Sequence, residues 1–340
     1  MLRITNNTII YVLCPSNIKS GGPELAHQLV KQINDFKGRA EIAYYDIDNN
    51  DLKINDSFKC YVKSFADAKN IIDEPQNIVV VPETRPEFLN WYKNVQKCIW
   101  WMSVDNYYRD HKFFKSLSTF GYNGIRRIVN TILSEIKGHT YINNNILHLY
   151  QSEYAKNFLI KKGITNIKHL SDYLNSSYLN LNINTERQNQ VLYNPVKGFK
   201  VTRKLMELAP DIKWVPLKGM TTEQVKETLL HSKVYIDFGN HPGKDRFPRE
   251  AAMCGCCVIT GKRGSAYFSE DVPILDEFKF DENKETLPQI IAKIRTCLND
   301  FPSQVPKFDN YRAFIKEEFQ VFQNDVKTIF LQKEQDYQQS

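Results

Sequence analysis

Apolar residues in this chain fall into short unbroken runs, separated by stretches where they recur every three or four positions. Residues 8–14 (TIIYVLC), 40–46, 78–82 (IVVVP) and 97–104 (KCIWWMSV) are runs of the first kind. Such runs mark strands buried on both faces of a parallel sheet. Leu25, Leu29, Val30 and Ile33 stand at helical spacing behind Pro23, a residue suited to a helix's first turn. Residues 85–94 read as a short helix. Residues 116–137 are irregular around Gly121 and Gly124, with a helix expected over 125–136. A strand over 146–150 precedes a helix over 153–162, which Gly163 stops.

Residues 172–190 (DYLNSSYLNLNINTERQNQ) are polar and Asn-rich, the composition of an inter-domain linker. Beyond them the alternation resumes: strands over 191–193, 213–217, 234–238 and 256–260, with helices over 198–208, 221–230 and 248–254. Two runs of βα units predict an α/β protein with two Rossmann-like doubly wound domains facing across a cleft, ligands binding beyond the strands' carboxyl ends. The expected limits are a first domain over 1–172, a linker over 173–190, a second domain over 191–308, and a terminal helix within 309–340. Tyr311, Phe314, Ile315, Phe319, Phe322, Val326, Ile329 and Phe330 line one side of that helix. Packing is its expected role, with peripheral membrane contact as the alternative.

Length and composition narrow the classes. A chain of 340 residues, 42% hydrophobic, has ample apolar content for sizeable cores, which excludes general disorder. No run approaches the ~18 apolar residues of a membrane span, and residues 1–8 lack an apolar signal region, so the expectation is a cytoplasmic protein. Forty-five Lys and Arg against 39 Asp and Glu leave a formal charge of +6, too small for a nucleic-acid coat but compatible with a local anion site. Seven cysteines, an odd number, argue against a disulfide framework. Cys254, Cys256 and Cys257 lack a second Cys or His pair at ligand spacing, and read as small buried residues rather than metal ligands.

Four places at strand ends suit an anionic, phosphate-bearing ligand. Ser20-Gly21-Gly22 follows the first strand, where glycines admit close approach to a helix N-terminus. Its spacing is not G-x-G-x-x-G, which disfavours a nicotinamide-dependent dehydrogenase. Tyr193-Asn194-Pro195-Val196-Lys197-Gly198 opens the second domain, and a lysine at a helix start adds a full charge to the dipole. His241-Pro242-Gly243-Lys244-Asp245-Arg246-Phe247-Pro248-Arg249-Glu250 crowds ionisable groups into a loop and first helical turn; the alternative to a ligand site there is an internal Asp–Arg network. Glu83 and Asp105 follow two strands and are candidate bases, with capping the alternative for Asp105. Trp100, Trp101, Tyr107 and Tyr108 are candidates for acceptor contact or for the core. No Ser-His-Asp or Cys-His pair is assigned by spacing; His27 reads as a surface or core residue, and His241 lacks an identifiable partner.

The order strand, Asn-Pro-x-Lys-Gly, helix, strand, helix, strand, charged loop, Arg-Glu-Ala-Ala-x-x-Gly-x-x-Val-Ile-Thr resembles the donor half of GT-B glycosyltransferases, more closely their "group 1" branch. In motif the likeness is specific over 194–198 and 243–260; in architecture it covers nearly the whole chain. It implies two Rossmann-like domains with the active site between them, and a final helix crossing back to the first domain. It implies transfer of a sugar from a nucleotide-diphosphate sugar to a hydroxyl of a glycan or glycolipid acceptor, in polysaccharide or surface-glycan synthesis. No cofactor and no metal is implied. Lys197, with Gly198, matches the lysine that holds the donor diphosphate, and Glu250 the second glutamate of E-x7-E, which binds ribose. Gly243, Lys244 and Asp245 match the loop that presents amides to sugar and diphosphate, and Gly21 and Gly22 the amino-terminal glycine loop. Pro242 stands where the first glutamate would be, and the arginine preceding the family lysine is missing; Arg246 or Arg249 is the candidate substitute. The expected reaction is retaining and metal-independent, by same-face attack assisted by the leaving phosphate; inversion would instead need a base, Asp105 first and Glu83 in reserve. A non-catalytic nucleotide- or glycan-binding subunit of the same fold is the alternative.

Overall fold

The run Ile10–Cys14 forms β1, every residue of it buried, as an interior parallel strand requires. In this computed structural model, residues 2–16, 18–46, 54–109 and 141–332 are described. The expected helix over 125–136, the glycines at 121 and 124, and the side chain of Tyr108 lie outside them.

The chain divides into two units: residues 1–151, 155–171 and 321–340 form the first, and residues 152–154 and 172–320 the second. The first carries a seven-stranded sheet in the order β3-β2-β1-β4-β5-β6-β7, all neighbours parallel. Its members after β1 are β2 (Ala40–Tyr44), β3 (Ala66–Asp67), β4 (Ile78–Pro82), β5 (Gln96–Trp101), β6 (Leu147–Tyr150) and β7 (Ile167–His169). Strand order reverses between β1 and β4, and the crevice at such a reversal is where open α/β sheets hold ligands. The helix Gly21–Asp35 turns Leu25, Leu29, Val30 and Ile33 inward. The expected helix over 85–94 is a 3-10 helix, Pro86–Trp91.

The second unit carries a five-stranded parallel sheet in the order β12-β11-β10-β8-β9. Its strands are β8 (Gln188–Tyr193), β9 (Lys213–Pro216), β10 (Ser232–Asp237), β11 (Cys257–Gly261) and β12 (Lys279–Phe280). Here order reverses between β8 and β10. Helices Phe199–Leu208, Thr222–Leu230, Arg246–Met253 and Leu287–Asn299 belong to this unit, the second opened by a capping box between Thr221 and Gln224.

The stretch over 173–190, expected as a linker, packs onto the second unit instead. Leu174 and Tyr178 enter its apolar core, and residues 188–190 already belong to β8. Its asparagines act locally: Asn175 accepts from the Ser177 amide. In the terminal helix Asp309–Phe330, Tyr311 and Ile315 are buried in the second unit, and Phe322, Val326 and Phe330 in the first. The apolar face therefore packs. No helix among the described residues is long and apolar enough to cross a membrane.

Candidate functional site

At the reversal of the second sheet, two strand-to-helix loops lie against each other. The first, after β8, holds Lys197 and Gly198. Gly198 takes φ +70°, and a Cβ there would overlap the carbonyl of Phe238 and come within 2.6 Å of the Gly239 nitrogen. Only glycine lets this loop touch the loop that follows β10. Asn194 fixes the turn by accepting from the Val196 amide at 2.9 Å. The Lys197 side chain, 42% exposed, reaches Oδ1 of Asp245 at 2.8 Å.

Asp245 is the N-cap of helix Arg246–Met253, yet its side chain makes no capping bond. Its other oxygen lies 3.4 Å from Nδ1 of His241. His241 is buried at φ +44°. Its Nε2 donates to the Asp237 carbonyl at 3.3 Å and lies 3.5 Å from that residue's Oδ1. Asp237, also buried, accepts from the Gly239 amide and from the Tyr235 hydroxyl, each at 2.9 Å. The partners missing for His241 in the sequence are thus the aspartates four positions before and four after it. These three groups bring ligand atoms within 4.8 Å of one another. The carboxylates approach opposite nitrogens of one ring, and Lys197 supplies a cation beside Asp245.

The charged loop is largely held from within. Arg249 is 1% exposed and forks onto Asp172, with Nη1 donating to Oδ1 at 3.0 Å and Nη2 to Oδ2 at 2.5 Å; Nη1 also reaches Glu318 at 2.8 Å. Lys244 lies 2.8 Å from Glu318 and 3.5 Å from Asp172. Burial opposes charge on all three of Asp172, Lys244 and Arg249, but the opposite charges outweigh it. The Asp172 carboxyl is held below its ordinary value, and Lys244 and Arg249 above theirs. The side chains of Lys244 and Arg249 are thus engaged in an internal network, the alternative set out for this loop, in which two buried carboxylates neutralise two buried cations; the loop's backbone amides are not part of it. Arg246 and Glu250 lie in the same helix's first turns. The loop backbone is clamped as well: the Ser265 amide donates to the His241 carbonyl at 2.8 Å and its hydroxyl to the Gly243 carbonyl at 2.6 Å.

In the first unit, Gly21 and Gly22 begin the helix after β1, and Ser20 at its N-cap makes no side-chain bond. That leaves the first-turn amides without an intrahelical acceptor. Glu83, after β4, is buried and accepts from the Met102 amide at 3.2 Å, which ties the ends of β4 and β5 together. Asp105 lies in the first turn of the helix Val104–Arg109, where a carboxylate suits the dipole. Trp100, Trp101 and Tyr107 are core residues, not acceptor contacts: Trp100 donates to the Leu170 carbonyl and Trp101 to His148 Nδ1. His27 is buried, donating from Nδ1 to the Pro23 carbonyl and accepting the Tyr44 hydroxyl at Nε2. Cys254, Cys256 and Cys257 are buried, as read from the sequence, and burial pushes the Cys256 thiol up to about 12.

No family model matches this chain, and no curated protein matches it. Solved structures do. Sucrose-phosphate synthase from Thermosynechococcus elongatus is 11% identical with a TM-score of 0.65, over 98% of this chain and 100% of that one. HepE of Anabaena, solved with UDP and glucose, is 13% identical with a TM-score of 0.57, over 94% and 98%. A glycosyltransferase from Rickettsia africae is 14% identical with a TM-score of 0.53, over 96% and 95%. The chain thus has the GT-B fold that these structures share.

Proposed function

We propose that this protein is a glycosyltransferase that moves a sugar from a nucleotide-diphosphate donor to a hydroxyl of a glycan or glycolipid acceptor. The observation that carries this reading is the half-exposed Lys197 ammonium at the strand-order reversal of the second unit, beside two helix starts and a glycine-tight loop pair. Departure of the sugar leaves negative charge on the diphosphate, and a preorganised lysine with first-turn amides stabilises it without reorganisation. Glu250, on the adjoining helix, is the candidate ribose ligand. Arg246 is the remaining candidate for a second cation, since Arg249 is neutralised. That HepE, which shares the fold, was solved with UDP and glucose supports a uridine donor first. Asp105 is the base if the reaction inverts, Glu83 being buried and engaged by the Met102 amide; retention needs no base. The proposed reaction draws on no cofactor, and its metal requirement is read by repeating it in chelator. The proposed setting is polysaccharide or surface-glycan synthesis in the cytoplasm.

The test is a thermal-shift screen against UDP-, GDP-, CMP- and dTDP-sugars, followed by release of nucleoside diphosphate from the stabilising donor. A ligand bound only by the native state raises Tm. Stabilisation with nucleotide release supports transfer, stabilisation without release supports a non-catalytic binder, and no stabilisation by any of the four rejects both.

A further inference from the structure

Two buried hydrogen-bond acceptors face each other across 3.4 Å in the second unit. The Nε2–H of His241 is committed to the Asp237 carbonyl, so in the neutral ring Nδ1 presents a lone pair. Opposite it stands Oδ2 of Asp245, and neither atom has a hydrogen-bond partner. An acceptor pair shut away from water is unfavourable, and a proton on Nδ1 turns it into a charge-assisted bond. What offsets the aspartate's charge without that proton is Lys197, on the carboxylate's other oxygen.

From this geometry we infer that binding of a diphosphate at Lys197 draws one proton from solvent onto Nδ1 of His241. The inference rests on the donor reading above. When the diphosphate takes over the ammonium, Asp245 loses its countercharge. It recovers one by forming an N–H bond on the ring it already faces, with the proton supplied by water or buffer. The relay adds one positive charge beside Asp245, on the oxygen opposite the one that Lys197 meets.

The other groups around His241 leave this balance standing. Asp237, from the end of β10, favours the protonated ring, and its remaining oxygen is engaged by Tyr235. The turn at Gly264 and Ser265 contributes backbone to the His241 carbonyl. Arg263 is bound to Asn240 and Glu282. Arg249 Nε contacts the Asp245 carbonyl, its charge matched by Asp172 and Glu318.

Two measurements on the full chain test the relay. In the first, imidazole NMR follows the His241 titration, assigned with His241→Asn. Asparagine tolerates positive φ and is the fitting replacement. Without ligand, Lys197→Met is expected to raise the His241 midpoint by about one pH unit, as an opposite charge within contact distance does once it is uncompensated. An unchanged or lowered midpoint overturns the inference. In the second, calorimetry of UDP-glucose binding in buffers of different ionisation heat counts protons; this diester does not titrate near neutral pH. Wild type is expected to take up between about half and one proton, so that affinity weakens up to about tenfold per pH unit above the midpoint. His241→Asn and Asp245→Asn are expected to take up none. Binding without proton uptake in wild type overturns the relay and leaves the donor reading intact. If UDP-glucose and GDP-mannose both fail to bind while the Lys197→Met shift appears, the donor reading falls and the proton link between Lys197 and His241 stands. Should His241→Asn not fold, Asp245→Asn carries the same comparison.

Discussion

The Lys197 ammonium and Oδ1 of Asp245, 2.8 Å apart, join the loop after β8 to the cap of the helix that follows β10. The pair is separated by 48 positions in the chain and lies at the point where the sheet's strand order reverses. A half-exposed ion pair of this kind contributes at most about 1 kcal/mol to stability. It therefore adds little to the stability of the fold, and in the proposed reading it holds a cation in place for the donor. Lys197→Met is expected to leave Tm within about 2 °C of wild type and to weaken binding of a nucleotide-diphosphate sugar at least tenfold. Titration of both proteins with the stabilising donor, alongside thermal melts, checks this.

Gly198→Ala is expected to act in the opposite proportion. The new Cβ meets backbone at Phe238 and Gly239, and φ is +70°, so at least about 2 kcal/mol is expected from conformation and overlap. Urea unfolding reads the loss directly, and a cost below about 0.5 kcal/mol would show that the two loops are not tightly opposed.

The buried network of Asp172, Lys244, Arg249 and Glu318 is expected to behave as a unit. Arg249→Met leaves two carboxylates facing one lysine and is expected to cost about 3–5 kcal/mol. Asp172→Asn with Arg249→Met together should cost less than the sum of the single changes, because the orphaned charge is removed with its partner. A double-mutant cycle in urea decides; strict additivity would mean the groups do not interact.

Asp271 and His148 are expected to give pH dependences of opposite sign. Burial raises the Asp271 carboxyl to about 6, even though it accepts the amides of Glu153 and Tyr154. The folded chain then binds more protons than the unfolded one between about pH 4 and 6, so this group's contribution falls as pH rises through that window, by about 3 kcal/mol in full. Burial lowers His148 to about 4, with its Nε2 donating to the Asn143 carbonyl. There the unfolded chain binds more protons, and stability rises with pH from about 4 to 6.5. Asp271→Asn should thus steepen the net gain in stability from pH 4 to 6, and His148→Gln should flatten it. Denaturation midpoints across that range compare the three proteins.

Central strands were legible in the chain because burial on both faces demands apolar residues without a break, as at Ile10–Cys14 and Ile78–Pro82. The two- and three-residue strands Ala66–Asp67, Ile167–His169 and Lys279–Phe280 carry no such pattern. They are strands because a neighbour's backbone is there to pair with. The polar stretch over 172–190 misled because composition reports average polarity, while a few residues, Leu174 and Tyr178, decide where a segment packs.

The sequence by itself determined the two α/β halves, the strand-end positions of Lys197 and Gly198, the charged loop and helix start that hold Asp245 and Glu250, and the resemblance in fold. Only the tertiary structure decided how those charges are used. Arg249 meets Asp172 and Glu318 across 77 and 69 positions, whereas Lys197 remains half exposed. A charge in a string of residues has no partner until folding sets distance and burial. Those two quantities fix whether a cation is neutralised inside the protein or kept for a ligand.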